Sequence, residues 1–192
     1  MRRQPGNEVG QLRLPSLDGP VFDLDRLRRR RFMLSFFRFA ACPFCNLRIH
    51  ELVERHAELG GRLVVVAVFD SPIDNLRRHA SRHRAPFPIL ADPDNVYYRA
   101  FAIERSVAGM LKAALLRFPS VLRGVFLEGY LPTSLQGRLD TLPAEFLVDE
   151  GGVIRVAHYG RDIGDHLPFE RIRAFALGGE GDARAVPPQP MP

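Results

Sequence analysis

Residues 32–52 read FMLSFFRFAACPFCNLRIHEL. From Phe32 to Phe39 the residues, Ser35 and Arg38 apart, are aromatic or apolar with no clean alternation, the pattern of a strand buried on both faces of a largely parallel sheet. From Asn46 onward apolar residues fall at 47, 49, 52, 53, 57 and 59, a spacing that predicts a crossover helix ending at Gly60-Gly61. Between strand and helix stands Cys42-Pro43-Phe44-Cys45. Pro43 suits a first helical turn, so Cys42 falls near the N-cap, where its sulfur can face unpaired backbone N–H groups. Cysteine attacks as thiolate, and a free thiol with a pKa of about 8.5 is mostly protonated at neutral pH, so such a position activates it. Cys45, one turn inside, can then attack a mixed disulfide formed at Cys42. These two residues are the candidate catalytic pair.

The pattern repeats outward. Leu63 to Phe69 is a second apolar run, Ser71-Pro72 supplies an N-cap and first helical position, a basic amphipathic helix runs to about Arg84, and Phe87 to Leu90 is a short strand. This gives a βαβαβ start. Residues 12–23 read as a small hairpin turning at Asp18-Gly19, and Asp92 to about Ile103 as another helix. Phe146–Val148 and Val153–Ala157 flank the hairpin signal Asp149-Glu150-Gly151-Gly152, and a helix from about Pro168 to Leu177 closes one domain spanning 1–177. Residues 105–138 form an insertion in which Val107, Met110, Leu111, Ala114, Leu115 and Phe118 share a helical face. They are expected to pack over the sheet edge, or to serve as an apolar lid or dimer face. The tail from Gly178, rich in proline and glycine, is expected to be disordered.

No run of eighteen apolar residues occurs and no apolar segment follows the basic opening MRRQPGNEVGQ, so neither a membrane span nor a secretory signal is expected, and the reading is cytoplasmic. In a reducing compartment two close cysteines are more often catalytic or metal-binding than a structural disulfide. The net charge of +5 is carried almost wholly by arginine, Lys112 being the sole lysine. The densest run, Arg28 to Arg31, reads as a solvated turn that blunts a sheet edge. Nucleic-acid binding is not expected, because no RNA motif, helix-turn-helix or zinc-finger spacing accompanies the charge. His79 and His83, with the two cysteines, make a formal Cys2His2 set. A whole strand separates the pairs, so no metal is assigned, and the other histidines read as surface or core residues.

With FFRFAACPFCNLRIHEL, LPAEFLVDEGGVI and HYGRDIGDH in order, the chain from about Gly6 to Leu177 resembles the peroxiredoxin-like branch of the alkyl hydroperoxide reductase and thiol-specific antioxidant superfamily. The resemblance implies a thioredoxin-like α/β fold, with a central mixed sheet flanked by helices. It also implies thiol-dependent reduction of hydroperoxides or disulfides through a CxxC dithiol/disulfide cycle, with no organic cofactor. The implied reductant is a thioredoxin- or glutaredoxin-type protein or glutathione, and a homodimer is an open partner. A dedicated protein-disulfide reductase and a non-enzymatic module using the basic surface are the alternatives.

Peroxiredoxins place a threonine three residues, and a proline seven residues, before the peroxidatic cysteine, and use an arginine near a later strand to hold peroxide. If Cys45 takes the peroxidatic position, Cys42 stands at the threonine, Arg38 at the proline and Pro143 in the arginine's place. Pro143 instead resembles the thioredoxin cis-proline that lies against the CxxC. The thioredoxin buried aspartate is Phe36 here, and the tryptophan before the first cysteine is Ala41. Which cysteine attacks first is left open by this hybrid pattern. Arg38 on the strand and Arg161 after Gly160, in a loop the resemblance brings near Pro143, are the candidate substrate-binding cations, Arg161 also as a stabiliser of the thiolate.

Overall fold

The computed structural model describes residues 1–103 and 140–179, so the insertion read at 105–138 and the tail beyond residue 179 lie outside the described residues. Within them, the hairpin read at 12–23 is present as β1 (Arg13–Leu14) and β2 (Phe22–Asp23), an antiparallel pair. Five further strands build the main sheet: β3 (Arg31–Phe37), β4 (Leu63–Phe69), β5 (Ile89–Ala91), β6 (Ala144–Val148) and β7 (Ile154–Tyr159). Their order is β5-β4-β3-β6-β7. β3 runs parallel to β4 and antiparallel to β6, and β6 to β7, so the sheet is mixed, with β3 at its centre.

A central strand has two faces to bury, which is why β3 shows no polar alternation. Met33 and Phe37 enter a core shared with helix α1 (Pro43–Glu54) and the closing helix α4 (Phe169–Ala176). Phe32, Leu34 and Phe36 enter a second core, beneath the N-terminal hairpin and helix α3 (Val96–Ala100). The CxxC thus leaves the middle of the sheet between two packed layers.

Several boundaries differ from the sequence reading, each for a local reason. The crossover helix ends at Glu54, and residues 56–59 form a separate 3-10 turn that stops at Gly60 in the left-handed region. Helix α2 spans Ile73–His79 with Pro72, not Ser71, as its N-cap, because the Ser71 hydroxyl accepts from Ala40 N at 3.0 Å instead. Residues 81–83 then make a 3-10 turn closed by a left-handed Arg84. β5 begins two residues later than the expected strand. α3 starts late because Asp92 accepts from the N–H groups of Val96 and Tyr97, at 3.0 and 2.8 Å, while Asn95 adopts φ 55°.

Candidate active site

Cys42 is the N-cap residue of α1, extended at φ −69° and ψ 121°, with Pro43 opening the first turn. Its amide donates to Phe39 O at 3.0 Å, which tightens the turn that follows β3. Both thiols are reduced and buried, with Cys42 0% and Cys45 2% exposed. Sγ of Cys42 makes no complete cap hydrogen bond, so the first-turn N–H groups act on it as oriented dipoles rather than as a full cap.

Arg38, placed one residue beyond β3, turns back so that Nη1 lies 3.5 Å from Cys42 Sγ, and the guanidinium is itself buried at 4% exposure over the Phe39 ring. Burial by itself pushes the Cys42 thiol up. The Cys45 thiol, the Arg38 charge and the N–H groups of Cys45 and Phe44 outweigh it, and the pKa falls to about 6. Cys45 moves the opposite way, well above its ordinary value, through burial, its hydrogen bond to Cys42 and repulsion from the neighbouring thiolate. The two sulfurs are thereby given different roles: Cys42 ionised, Cys45 a protonated donor to it.

The turn carrying Cys42 is fixed by residues that the sequence reading did not assign to the site. Asn46 Nδ2 donates to Ala40 O at 2.9 Å and to Cys42 O at 2.8 Å. With both amide hydrogens directed at carbonyls, Asn46 Oδ1 must accept, and it meets His83 Nε2 at 2.7 Å. Burial holds His83 down to about 4, so the ring is neutral and its Nε2 carries the hydrogen. His83, weighed in the sequence as a metal ligand, is instead a buttress of the CxxC turn. His79 sits on α2.

A second missed group lies one turn beyond Cys45. Arg48 Nε and Nη2 reach the two Glu145 oxygens at 3.2 and 3.1 Å, and that carboxylate, fully buried on β6, also accepts from Ser35 Oγ, His166 Nδ1 and Leu167 N. Burial would push the Glu145 carboxyl up, but the charges of Arg48 and His166 and the bonds from His166 and Leu167 hold it well below the usual carboxylate range. The helix bearing the cysteines is thus tied to β6 and to the 160–167 loop. A glutamate inside the apolar run AEFLV was the available signal, since an acid at a strand position buried on both faces needs a cationic partner.

Pro143 heads β6 and is buried, its carbonyl accepting from Gly160 N at 2.9 Å. A Cβ at residue 160 would lie 2.7 Å from Asp165 O and 2.9 Å from Pro143 Cγ, so only glycine fits this approach. The loop does come to Pro143 as the resemblance implied. The cis expectation is corrected: no cis peptide bond occurs among the described residues. Arg161 is not brought to the cysteines. Its side chain is 77% exposed, and both its amide and its Nε bond to Asp165 Oδ2, at 2.9 and 3.2 Å. That carboxylate draws Arg161 outward, and the cation beside the thiolate is Arg38.

The fold has relatives among solved structures. Peroxidoxin BcpB from Mycobacterium tuberculosis is 16% identical with a TM-score of 0.63, the alignment covering 94% of this chain and 98% of that one. A thiol peroxidase from Chromobacterium violaceum is 14% identical, with a TM-score of 0.64 and coverages of 94% and 90%. A putative thiol:disulfide interchange protein DsbE from Chlorobium tepidum is 18% identical, with a TM-score of 0.59 and coverages of 91% and 99%. At these identities the likeness is one of fold, the thioredoxin-like fold. No curated protein matches the chain in sequence. The family profile described as AhpC/TSA matches residues 5–157, a span that begins before the hairpin, takes in the CxxC and both of its buttresses, and ends in β7. On that match, the chain belongs to the AhpC/TSA family.

Proposed function

We propose that the protein reduces small hydroperoxides, with Cys42 as the attacking thiolate and Cys45 as the resolving thiol. One observation carries this reading: the Cys42 sulfur lies 3.5 Å from the buried Arg38 guanidinium, which favours its thiolate, yet has no exposed surface. A protein disulfide must bring its own sulfur, with a bulky chain attached, into line with the thiolate, whereas a hydroperoxide needs only to admit two oxygens. Family membership and thiol chemistry agree with it.

The Cys42 thiolate attacks the terminal peroxide oxygen, the O–O bond breaks, and the leaving alkoxide takes a proton to become an alcohol or water. The sulfur, oxidised by two electrons, becomes a sulfenic acid. Arg38, close enough to contact the sulfur, is placed to attract the oxygen that gathers negative charge. The Cys45 sulfur then attacks the sulfenic sulfur, the S–O bond breaks, and the thiol proton leaves with the hydroxyl as water, closing a Cys42–Cys45 disulfide. Two further thiols, most simply of a small donor such as glutathione, return the two electrons, one attacking the disulfide and the second releasing the first.

The experiment is to trap sulfenic acid after one equivalent of hydrogen peroxide in two variants. Cys45→Ser is expected to accumulate it at Cys42, and Cys42→Ser to form none at Cys45. The wild-type chain should lose about two mass units, the hydrogens released on forming one internal disulfide. Sulfenic acid at Cys45 in the Cys42→Ser variant would reverse the assignment, and turnover of insulin disulfides faster than peroxide would favour disulfide reduction.

A further inference from the structure

At the opposite end of β3 from the cysteines, some 20 Å away by the rise of a seven-residue strand, Arg29, Arg30 and Arg31 line one concavity of about 390 Å3 together with Arg62, Glu150 and Leu177. Three consecutive residues of a strand would send alternate side chains to opposite faces. Here Arg29 adopts φ 65°, a left-handed backbone disfavoured for any residue with a side chain, and the reversal turns all three toward the same space. Arg62 joins them from the residue preceding β4, the strand paired with β3 through Arg31 and Leu63.

Among the described residues, only one of the four guanidiniums pairs with a carboxylate. Arg31 Nε pairs with Glu150 at 2.8 Å, its Nη1 donates to Phe175 O at 2.8 Å, and its plane lies over the Phe175 ring, so it is held in place and covers a carbonyl at the C-terminal end of α4. Among the described residues Arg30 reaches only the Gly61 carbonyl, at 3.4 Å, and neither Arg29, Arg30 nor Arg62 pairs with a carboxylate. Guanidiniums gathered around one concavity repel one another, and where the described residues bring three of them no carboxylate, the shape that relieves them is a compact anion of several charges. Planar forks of N–H donors match tetrahedral phosphate oxygens, and the volume lies within the small-molecule range of about 300–1,000 Å3.

We infer that this cavity binds a diphosphate group, free or carried by a nucleotide. The site is separate from the thiols and does not depend on the chemistry proposed for them.

Titration calorimetry of the full reduced chain at fixed ionic strength tests it, with inorganic pyrophosphate, ADP and a short single-stranded oligonucleotide as probes. Pyrophosphate is expected to bind saturably at one site, and Arg30→Gln and Arg62→Gln are each expected to weaken it about tenfold, the loss for removing one charge-assisted contact. Arg99→Gln, outside the cavity, should change nothing. ADP tighter than pyrophosphate identifies a nucleotide as the source, and pyrophosphate tighter than ADP a free anion. Circular dichroism and the Cys42 titration, read at the far end of the sheet, confirm that the variants are folded. Equal affinity in wild type and both cavity variants overturns the proposal, as does binding of the oligonucleotide without saturable binding of pyrophosphate, which would make the patch a nucleic-acid surface.

Discussion

A guanidinium 3.5 Å from a sulfur in a dry environment acts with little screening, which is why one side chain, Arg38, can help overcome the desolvation of Cys42. Arg161, mostly in water and already paired with Asp165, has neither proximity nor a low dielectric. Arg38→Ala is therefore expected to raise the Cys42 titration midpoint by about one to three units, and Arg161→Ala to leave it unmoved, followed by thiolate absorbance against pH. The sequence reading placed both arginines near the pair and gave the thiolate to Arg161, whereas the folded chain gives it to Arg38. The right order depends on Arg38 folding back onto its own turn and on Asp165, four residues from Arg161, capturing the other. In the same way Cys42 and Cys45 were legible from spacing alone, because strand, CxxC and helix is a local pattern. The Asn46–His83 and Arg48–Glu145 contacts join residues 37 and 97 apart, so the partners were not legible even where, as for Glu145 in its apolar run, one residue stood out.

At the scale of elements, α1 is anchored by charge as well as by apolar packing. Removing one partner of a buried ion pair leaves the other uncompensated and costs about 3–5 kcal/mol, so Glu145→Gln is expected to lower stability by that order, measured by urea unfolding of the reduced protein. The linkage also has a direction. The native Glu145 pKa is depressed, so the unfolded chain binds the proton more readily. The contribution is complete above the unfolded carboxylate value of about 4.3 and is lost as pH falls below it toward the native value. Wild type should lose stability steeply below about pH 4, and Glu145→Gln should show a shallower acid limb. Element types were legible in the apolar spacing and element ends less so: α2 and α3 start late where Ser71 and Asp92 bond other backbone groups, a choice that tertiary contacts decide.

Taken as a whole, the molecule puts its two chemically distinctive ends on one strand. β3 begins at the arginine-lined concavity and finishes at the turn that delivers Cys42, and its central position in the sheet gives both ends a rigid base. Membership of the AhpC/TSA family and the fold both rest on this frame, and the frame was readable because the apolar runs of β3 and β4 and the glycine-terminated crossover are strong, local signals. The asymmetry between the two cysteines was only half readable: the N-cap position singled out Cys42 while the family pattern pointed to Cys45, and the contact with Arg38 that separates them arises from the folded turn.

That asymmetry is the centre of the account, and site-resolved alkylation measures it directly. The reduced chain is pulsed with iodoacetamide from pH 4 to pH 10, and the label at each cysteine is quantified by peptide mass spectrometry. Cys42 should be modified first, with a rate that rises to a plateau through a midpoint of about 6, while Cys45, whose pKa is pushed up, lags behind it. Labelling of Cys45 ahead of Cys42, or a Cys42 midpoint near the free-thiol value of about 8.5, would contradict it.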